Sequence, residues 1–193
     1  MDARSSRQLS AGLPDDAFAT DGLLTKRVLR AYALAMLAPV GDEVLWDLGA
    51  GTGSIGIEWC RLHPGNTAVA VERDPERRVR IELNAAAHGV GGRVRVVPGR
   101  IRDALEDLPD PRAVFVGGGI SADVLSRCWE ALPSGGRLVA HSVTADSDVV
   151  LLDAYRHRGG ELVRIGVENA GPIGRYVGFT PLRTVAAWAA TKE

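Results

Sequence analysis

The feature that most constrains this chain is a five-residue, mainly apolar run, VLWDL at Val44 to Leu48, which passes directly into the glycine-rich turn and helix-like stretch GAGTGSIGIEW. A buried strand, a tight glycine turn and a helix in that order open a β/α unit. The alternation then continues. Helix-like Ser54 to Leu62, strand Ala68 to Glu72, helix Pro75 to His88, strand Val94 to Val97, a short helix at Ile101 to Leu105, strand Ala113 to Val116, helix Ala122 to Leu132, strand Arg137 to Ser142 and a helix from about Asp148 to Arg158 follow one another. Such a series predicts a parallel sheet covered by helices on both faces. Upstream, apolar residues recur at helical spacing from Leu24 to Ala38 until Pro39 and Gly41 stop them.

The end of the chain breaks the rhythm. Glu161 to Glu168 and Thr184 to Ala190 read as strands, but NAGPIGRYVGFTPLR between them holds three Gly and two Pro and cannot be a crossover helix. Strands joined without a crossover run antiparallel. The expectation is six parallel strands and a last one inserted antiparallel, as part of a C-terminal hairpin.

Length and composition suit one globular domain: 193 residues, 46% hydrophobic, 24% charged, net charge −1 and mean hydropathy +0.01. We expect a flexible leader over residues 1–11 and one domain over residues 12–193. The longest mainly apolar run, Ala31 to Val40, is about half of the roughly 20 residues a membrane helix needs. The polar opening MDARSSRQLS is not a secretory signal. Cys60 and Cys128 form no CxxC, so neither a metal site nor a disulfide framework is expected, and a reducing cytoplasm fits best.

The turn after the first strand carries Gly49, Gly51, Gly53 and Gly56, and the helix opening at Ser54 would present amides to a ligand. Gly51, Gly53 and Gly56 also match the dinucleotide fingerprint GxGxxG. In that fingerprint the turn holds a pyrophosphate, which a carboxylate at Asp47 would repel. A cationic ligand reverses the sign, and S-adenosylmethionine carries a sulfonium and an ammonium. The order Asp-x-Gly-x-Gly-x-Gly resembles motif I of class I methyltransferases, a Rossmann-like α/β fold whose seventh strand is antiparallel. Glu72, closing the next strand, is placed to take the ribose hydroxyls, with Asp74 as a competitor. Adenine is expected against Gly99, Arg100 and Ile101; Arg100 cannot accept a hydrogen bond, so recognition would fall to backbone groups and the Ile101 side chain.

Four segments carry a narrower resemblance: GLPDDAF (Gly12 to Phe18) with LLTKRVLRA (Leu23 to Ala31), WDLGAGTGSIGIE, FVGGG (Phe115 to Gly119) and PIGRYVGF (Pro172 to Phe179). Together they resemble the decarboxylating precorrin C15-methyltransferases of cobalamin biosynthesis. The resemblance implies methylation of C15 of a polycarboxylate tetrapyrrole and loss of carbon dioxide from the C12 acetate. It also implies a homotetramer, either free-standing or continuous or paired with a C5-methylating half. Thr25 and Lys26 match the family's Thr-Lys pair and would close over the methionine end of the cofactor. Gly117, Gly118 and Gly119 would let the flat macrocycle approach the backbone. His141, Ser142 and Thr144 leave the fifth strand toward the same face; the family more often has Asn where His141 stands, and an imidazole there would be tuned near pH 7. Arg175 and Tyr176, on the hairpin loop, would fold over the substrate, with Arg175 pairing a carboxylate.

Charge bears on the alternatives. Twenty-one Arg stand against Lys26 and Lys192; a GC-rich genome is the simpler cause, and planar forks for carboxylates or phosphates are the functional one. Between Arg73 and Arg102 eight Arg face only Asp74, Glu76 and Glu82, a local excess that an RNA ligand could use, so a tRNA adenine-N1 methyltransferase is the runner-up. The acids at Asp103, Glu106, Asp107 and Asp110 and the pI of 6.4 oppose nucleic acid. A non-catalytic subunit that binds S-adenosylmethionine is the reading from outside catalysis.

Overall fold

The computed structural model describes residues 10–193. The leader expected over residues 1–11 therefore lies, through residue 9, outside the described residues. Helix α1 (Arg27–Leu37) precedes β1 (Val44–Leu48), α2 (Ser54–Leu62), β2 (Thr67–Glu72), α3 (Pro75–Ala87), β3 (Val94–Pro98), α4 (Ile101–Ala104), β4 (Ala113–Val116), α5 (Ala122–Ala131), β5 (Arg137–Ser142) and α6 (Ala145–Arg158). Four strands close the chain: β6 (Glu161–Ile165), β7 (Glu168–Ile173), β8 (Tyr176–Pro181) and β9 (Val185–Thr191).

Local chemistry sets the helix starts. The Asp74 carboxylate accepts from the amides of Glu76 and Arg77, with Pro75 in the first turn of α3. Ser121 caps α5. Thr144 caps α6 by accepting from Ser147, so this helix begins three residues before the position the sequence suggests. Asp146 and Asp148 then face the positive end of its dipole.

Seven strands form one sheet in the order β3-β2-β1-β4-β5-β9-β6. Pairings among β1 to β5 are parallel, while β9 runs antiparallel to both β5 and β6. Side chains alternate across the sheet. Leu45, Ala68, Ala70, Phe115 and Val139 meet α1, α2 and α3 on one face. Trp46, Leu48, Val71, Val116 and Trp188 meet α4, α5 and α6 on the other. Six parallel strands with an antiparallel last strand is the arrangement that the sequence led us to expect.

One expectation needs correction. The strand read over Glu161 to Glu168 ends at Ile165, and the segment read as a loop is a separate two-stranded sheet of β7 and β8. Glycine and proline counted against strands there, yet both fit. Pro172 lies on an edge where its missing N–H costs little, and Gly171 pairs with Gly178. Gly174, at φ +57°, opens the two-residue turn to Tyr176.

The topology positions the site. From β1 the chain moves outward to β2 and β3, then returns to β4 and β5 on the other side of β1. The connections leaving β1 and β4 diverge, which opens a crevice at the carboxyl ends of these strands.

Candidate functional site

A cavity of about 1100 Å³ lies at that crevice. Its wall includes Asp47, Gly49 and Gly51 from the turn after β1, Glu72 from β2, Gly99 to Ile101 after β3, Gly117 to Gly119 after β4, and His141 from β5. Thr25 and Lys26 line it too, from the arm preceding α1. The sequence therefore names residues from six separate segments that the fold brings to one place.

The glycine turn differs from a phosphate cradle in how its amides are used. Gly49 and Ala50 both donate to Val71 O (3.0 and 3.1 Å), and Gly53 donates to Ala50 O at 2.8 Å. Gly51 donates to Glu72 Oε2 at 2.9 Å, and Gly56 donates to Asp47 Oδ2 at 3.0 Å. These donors are spent within the protein, and two carboxylates stand where a pyrophosphate would lie. A cation and a pair of hydroxyls suit such a wall; a dianion does not. Burial pushes the Asp47 carboxyl up to about 7, the Gly56 amide opposes that shift, and the Glu72 charge adds to it. A ligand cation would restore its ionised form. Glu72, also bonded by the Asp74 amide at 3.0 Å, keeps acceptor capacity toward the cavity. The residues thus fit S-adenosylmethionine: acids for its cationic and ribose groups, and buried Ile101 for its adenine.

The glycines have distinct duties. Gly53, at φ +75°, lets the turn come so close to α3 that an added Cβ would lie 2.8 Å from Ile81 Cγ2. An added Cβ at Gly49 would lie 3.0 Å from Gly118 O, so the turns after β1 and β4 touch through backbone. Gly118 itself has nothing within 4 Å of that position and borders the cavity. Room for a flat ligand is found at Gly118, whereas Gly117 is closed by Phe115 Cε1 at 3.0 Å.

Several expected site residues serve the scaffold instead. Gly53 and Ser54 shape the turn but do not line the cavity. Asp74 is the cap of α3, which removes it as a competitor of Glu72 for hydroxyls. Ser142 and Thr144 bond each other, and Thr144 caps α6. His141 is buried, and desolvation lowers its pKa to about 4, so it is neutral rather than tuned near pH 7. Arg175 and Tyr176 stack at 5.0 Å at the tip of the β7–β8 hairpin, away from the cavity wall. The cavity takes Arg183 and the hairpin base, Val167 and Leu182, in their place.

Sequence reasoning also missed what holds the arm. Arg30 of α1 is fully buried. Its Nε donates to Glu58 Oε1 at 2.8 Å and its Nη1 to Asp15 Oδ1 at 2.8 Å. The carbonyls of Thr25 and Leu13 accept from the same guanidinium, and Glu58 accepts from the amides of Gly12 and Leu13. The signal was present: the three charged residues fall in the segments GLPDDAF, LLTKRVLRA and SIGIE, far apart in sequence.

Residues 16–192 match the family model described as the precorrin methyltransferase domain. The chain belongs to that family. A Sinorhizobium precorrin-6Y C(5,15)-methyltransferase [decarboxylating] is 49% identical over 185 residues, covering 95% of this chain and 45% of that protein. A probable cobalt-precorrin-6B C(15)-methyltransferase (decarboxylating) from Pyrobaculum aerophilum is 31% identical, covering 90% of this chain and 92% of that protein. The crystal structure of the C-terminal domain of precorrin-6Y C5,15-methyltransferase from Rhodobacter capsulatus superposes with a TM-score of 0.90 at 40% identity, covering 96% of this chain and all of that one. The chain spans about half the length of the precorrin-6Y C(5,15)-methyltransferases it matches. Among the described residues no helix is long and apolar enough to cross a membrane, and no cluster of His, Cys, Asp and Glu could hold a metal ion.

Proposed function

We propose that this domain methylates C15 of a precorrin macrocycle from S-adenosylmethionine and removes the C12 acetate carboxyl as carbon dioxide. The observation that carries the reading is the glycine turn, with its amides spent inside the protein and Asp47 and Glu72 on the cavity wall. S-adenosylmethionine supplies the electrophilic methyl. The chain supplies position: Asp47 and Glu72 for the cofactor, the open backbone at Gly118 for the macrocycle. Holding a macrocycle carbon about 3 to 3.5 Å from the methyl provides much of the rate without a nucleophilic side chain. Arg73, Arg100, Arg102 and Arg183 border the cavity and offer forks to the substrate's carboxylates. Membership in the family supports this reading over a tRNA methyltransferase or a non-catalytic subunit.

Self-association into the family's homotetramer is part of the proposal. The β7–β8 hairpin supports it, since Val177 and Phe179 on one face and Ile173 and Tyr176 on the other are exposed. Two buried, unpaired cysteines suit a reducing cytoplasm.

Labelled S-adenosylmethionine and a precorrin already methylated at C5 test the function by mass spectrometry. The expected product gains one methyl and loses one carbon dioxide; an unchanged macrocycle beside a site that binds cofactor would overturn the reading. Calorimetry tests the cofactor. Because the ligand cation favours ionised Asp47, affinity should rise with pH through about 7 and level off above it. Asp47→Asn, which keeps an oxygen for the Gly56 amide, should weaken binding by about 100-fold, the scale of a lost buried charge contact, and flatten that profile.

A further inference from the structure

The cavity wall is electrically divided. Arg73 and Arg77 follow β2 and Arg100 and Arg102 follow β3, so four cations gather on one side of β1, while Lys26 lines the cavity from the arm, 4.0 Å from the Asp15 carboxylate. On the other side, at the ends of β4, β5 and β6 and the start of β9, Phe115, Val143, Val167, Leu182 and Val185 form a mainly apolar wall, with Ser121 and Asp123 bordering it where α5 begins. His141 sits in that apolar half, 5.1 Å from Phe115 edge to face and 6.4 Å from Tyr32 between ring centroids. Arg183 is exposed at its edge.

Within this wall the Nε2 of His141 is buried with no hydrogen-bond partner. A buried polar atom left unpaired costs about 1–3 kcal/mol. The ring borders the cavity, so an occupant can complete it, and a half-turn of the imidazole exchanges its nitrogen and carbon edges within the same volume. Its burial keeps it uncharged at neutral pH.

We propose, on the basis of the reading above, that this apolar half is the decarboxylation pocket, in which His141 orients the acetate that leaves. The chemistry favours such a pocket. When the bond from the acetate methylene to its carboxyl carbon breaks, carbon dioxide departs without the bonding electrons, the pair spreads into the conjugated macrocycle, and a proton from water completes the methyl group. Negative charge therefore leaves the carboxylate during the step. A cation beside it would stabilise the starting state more than the transition state, whereas an apolar wall with one neutral hydrogen bond orients the group without that penalty. The substrate's permanent carboxylates belong with the Arg side chains across β1.

The test separates methylation from decarboxylation by mass spectrometry of the macrocycle, with cofactor binding followed by calorimetry as the check on folding. Val143→Lys puts a cation on the same wall at a half-exposed position that tolerates charge. It should raise the fraction of methylated product that keeps its carboxyl at least tenfold. His141→Leu, which removes the hydrogen bond, should do the same. His141→Asn, neutral and hydrogen-bonding, should stay within about threefold of the parent ratio. If Val143→Lys binds cofactor, methylates and still decarboxylates at the parent ratio, the pocket assignment is wrong; if Asn at position 141 behaves like Leu, the hydrogen bond is not His141's contribution. A parent protein that binds cofactor and transfers no methyl overturns the proposed function instead.

Discussion

Two segments flank the carboxyl edge of the sheet, and they are held in opposite ways. The arm over residues 12–26 is fastened from within: Arg30 gathers Glu58, Asp15 and the carbonyls of Leu13 and Thr25, while Asn84 exchanges hydrogen bonds with the backbone of Ala19. The β7–β8 hairpin is fastened mainly to itself, with Leu182 donating to Val167 O at its base and its large apolar side chains in solvent. Both segments carry the family resemblance. One is specific because its charges need particular buried partners; the other leaves large apolar side chains exposed on both faces, where the proposed self-association would act. A two-stranded ribbon is marginal alone, so its order depends on what covers it.

The largest effect should come from breaking the arm at its centre. Arg30→Met leaves Glu58 buried beside a neutral side chain and two carbonyls without their donor. Removing one partner of such a pair costs about 3–5 kcal/mol. At roughly 2–4 °C per kcal/mol for a chain of this size, thermal unfolding should fall by about 6–20 °C. Arg30→Met with Glu58→Leu should recover part of that loss by removing the stranded charge. A single variant that melts with the parent would show that the network does not anchor the arm.

The hairpin should respond in assembly rather than in protomer stability. Val177→Asp with Phe179→Asp places two charges on the face also formed by Ala170 and Pro172. Light scattering should report a smaller particle, while thermal unfolding of the protomer shifts by about 1 kcal/mol or less, the usual scale for exposed substitutions. An unchanged mass would mean that the exposed apolar faces are not the contact.

The contrast also shows which parts of the molecule could be read in advance. Strands β1 and β4 lie where apolar runs end at glycine, and β5 and α2 lie where the sequence pattern places them, because local pattern and burial agree there. Asp47, Glu72 and the Gly99 to Ile101 turn were legible for the same reason: they sit at strand ends, and strand ends make the crevice. Arg30 with Glu58 was not, since a charge inside an apolar helix pattern looks like solvent-facing surface until its partner 28 residues away is known. Arg175 was misplaced by a loop that proved to be two strands. That change moves its side chain from the cavity to the ribbon's tip and gives the edge of the cavity to Arg183.

The smallest effect tests where the arm meets the cavity. Asp21 pairs with Arg77 at 2.8 Å and Arg80 at 3.3 Å on α3, and thereby ties down the stretch from Gly22 to Lys26 that lines the site. Its side chain is about a third exposed, so the pairing contributes on the order of 0.2–1 kcal/mol to stability, far less than the Arg30 network. The Arg77 guanidinium holds the Asp21 carboxyl below its ordinary value, so the contribution is present above that value and fades as pH falls through the lowered one. Asp21→Ala should therefore melt about 1–3 °C below the parent at pH 7, with the gap closing in acid below the ordinary aspartate range and in concentrated salt. Cofactor affinity should drop several-fold at pH 7, since freeing the stretch adds an ordering cost to binding. If affinity falls with no change in melting, the ion pairs act on the site alone; if melting falls and affinity holds, the arm is ordered by Arg30 without them.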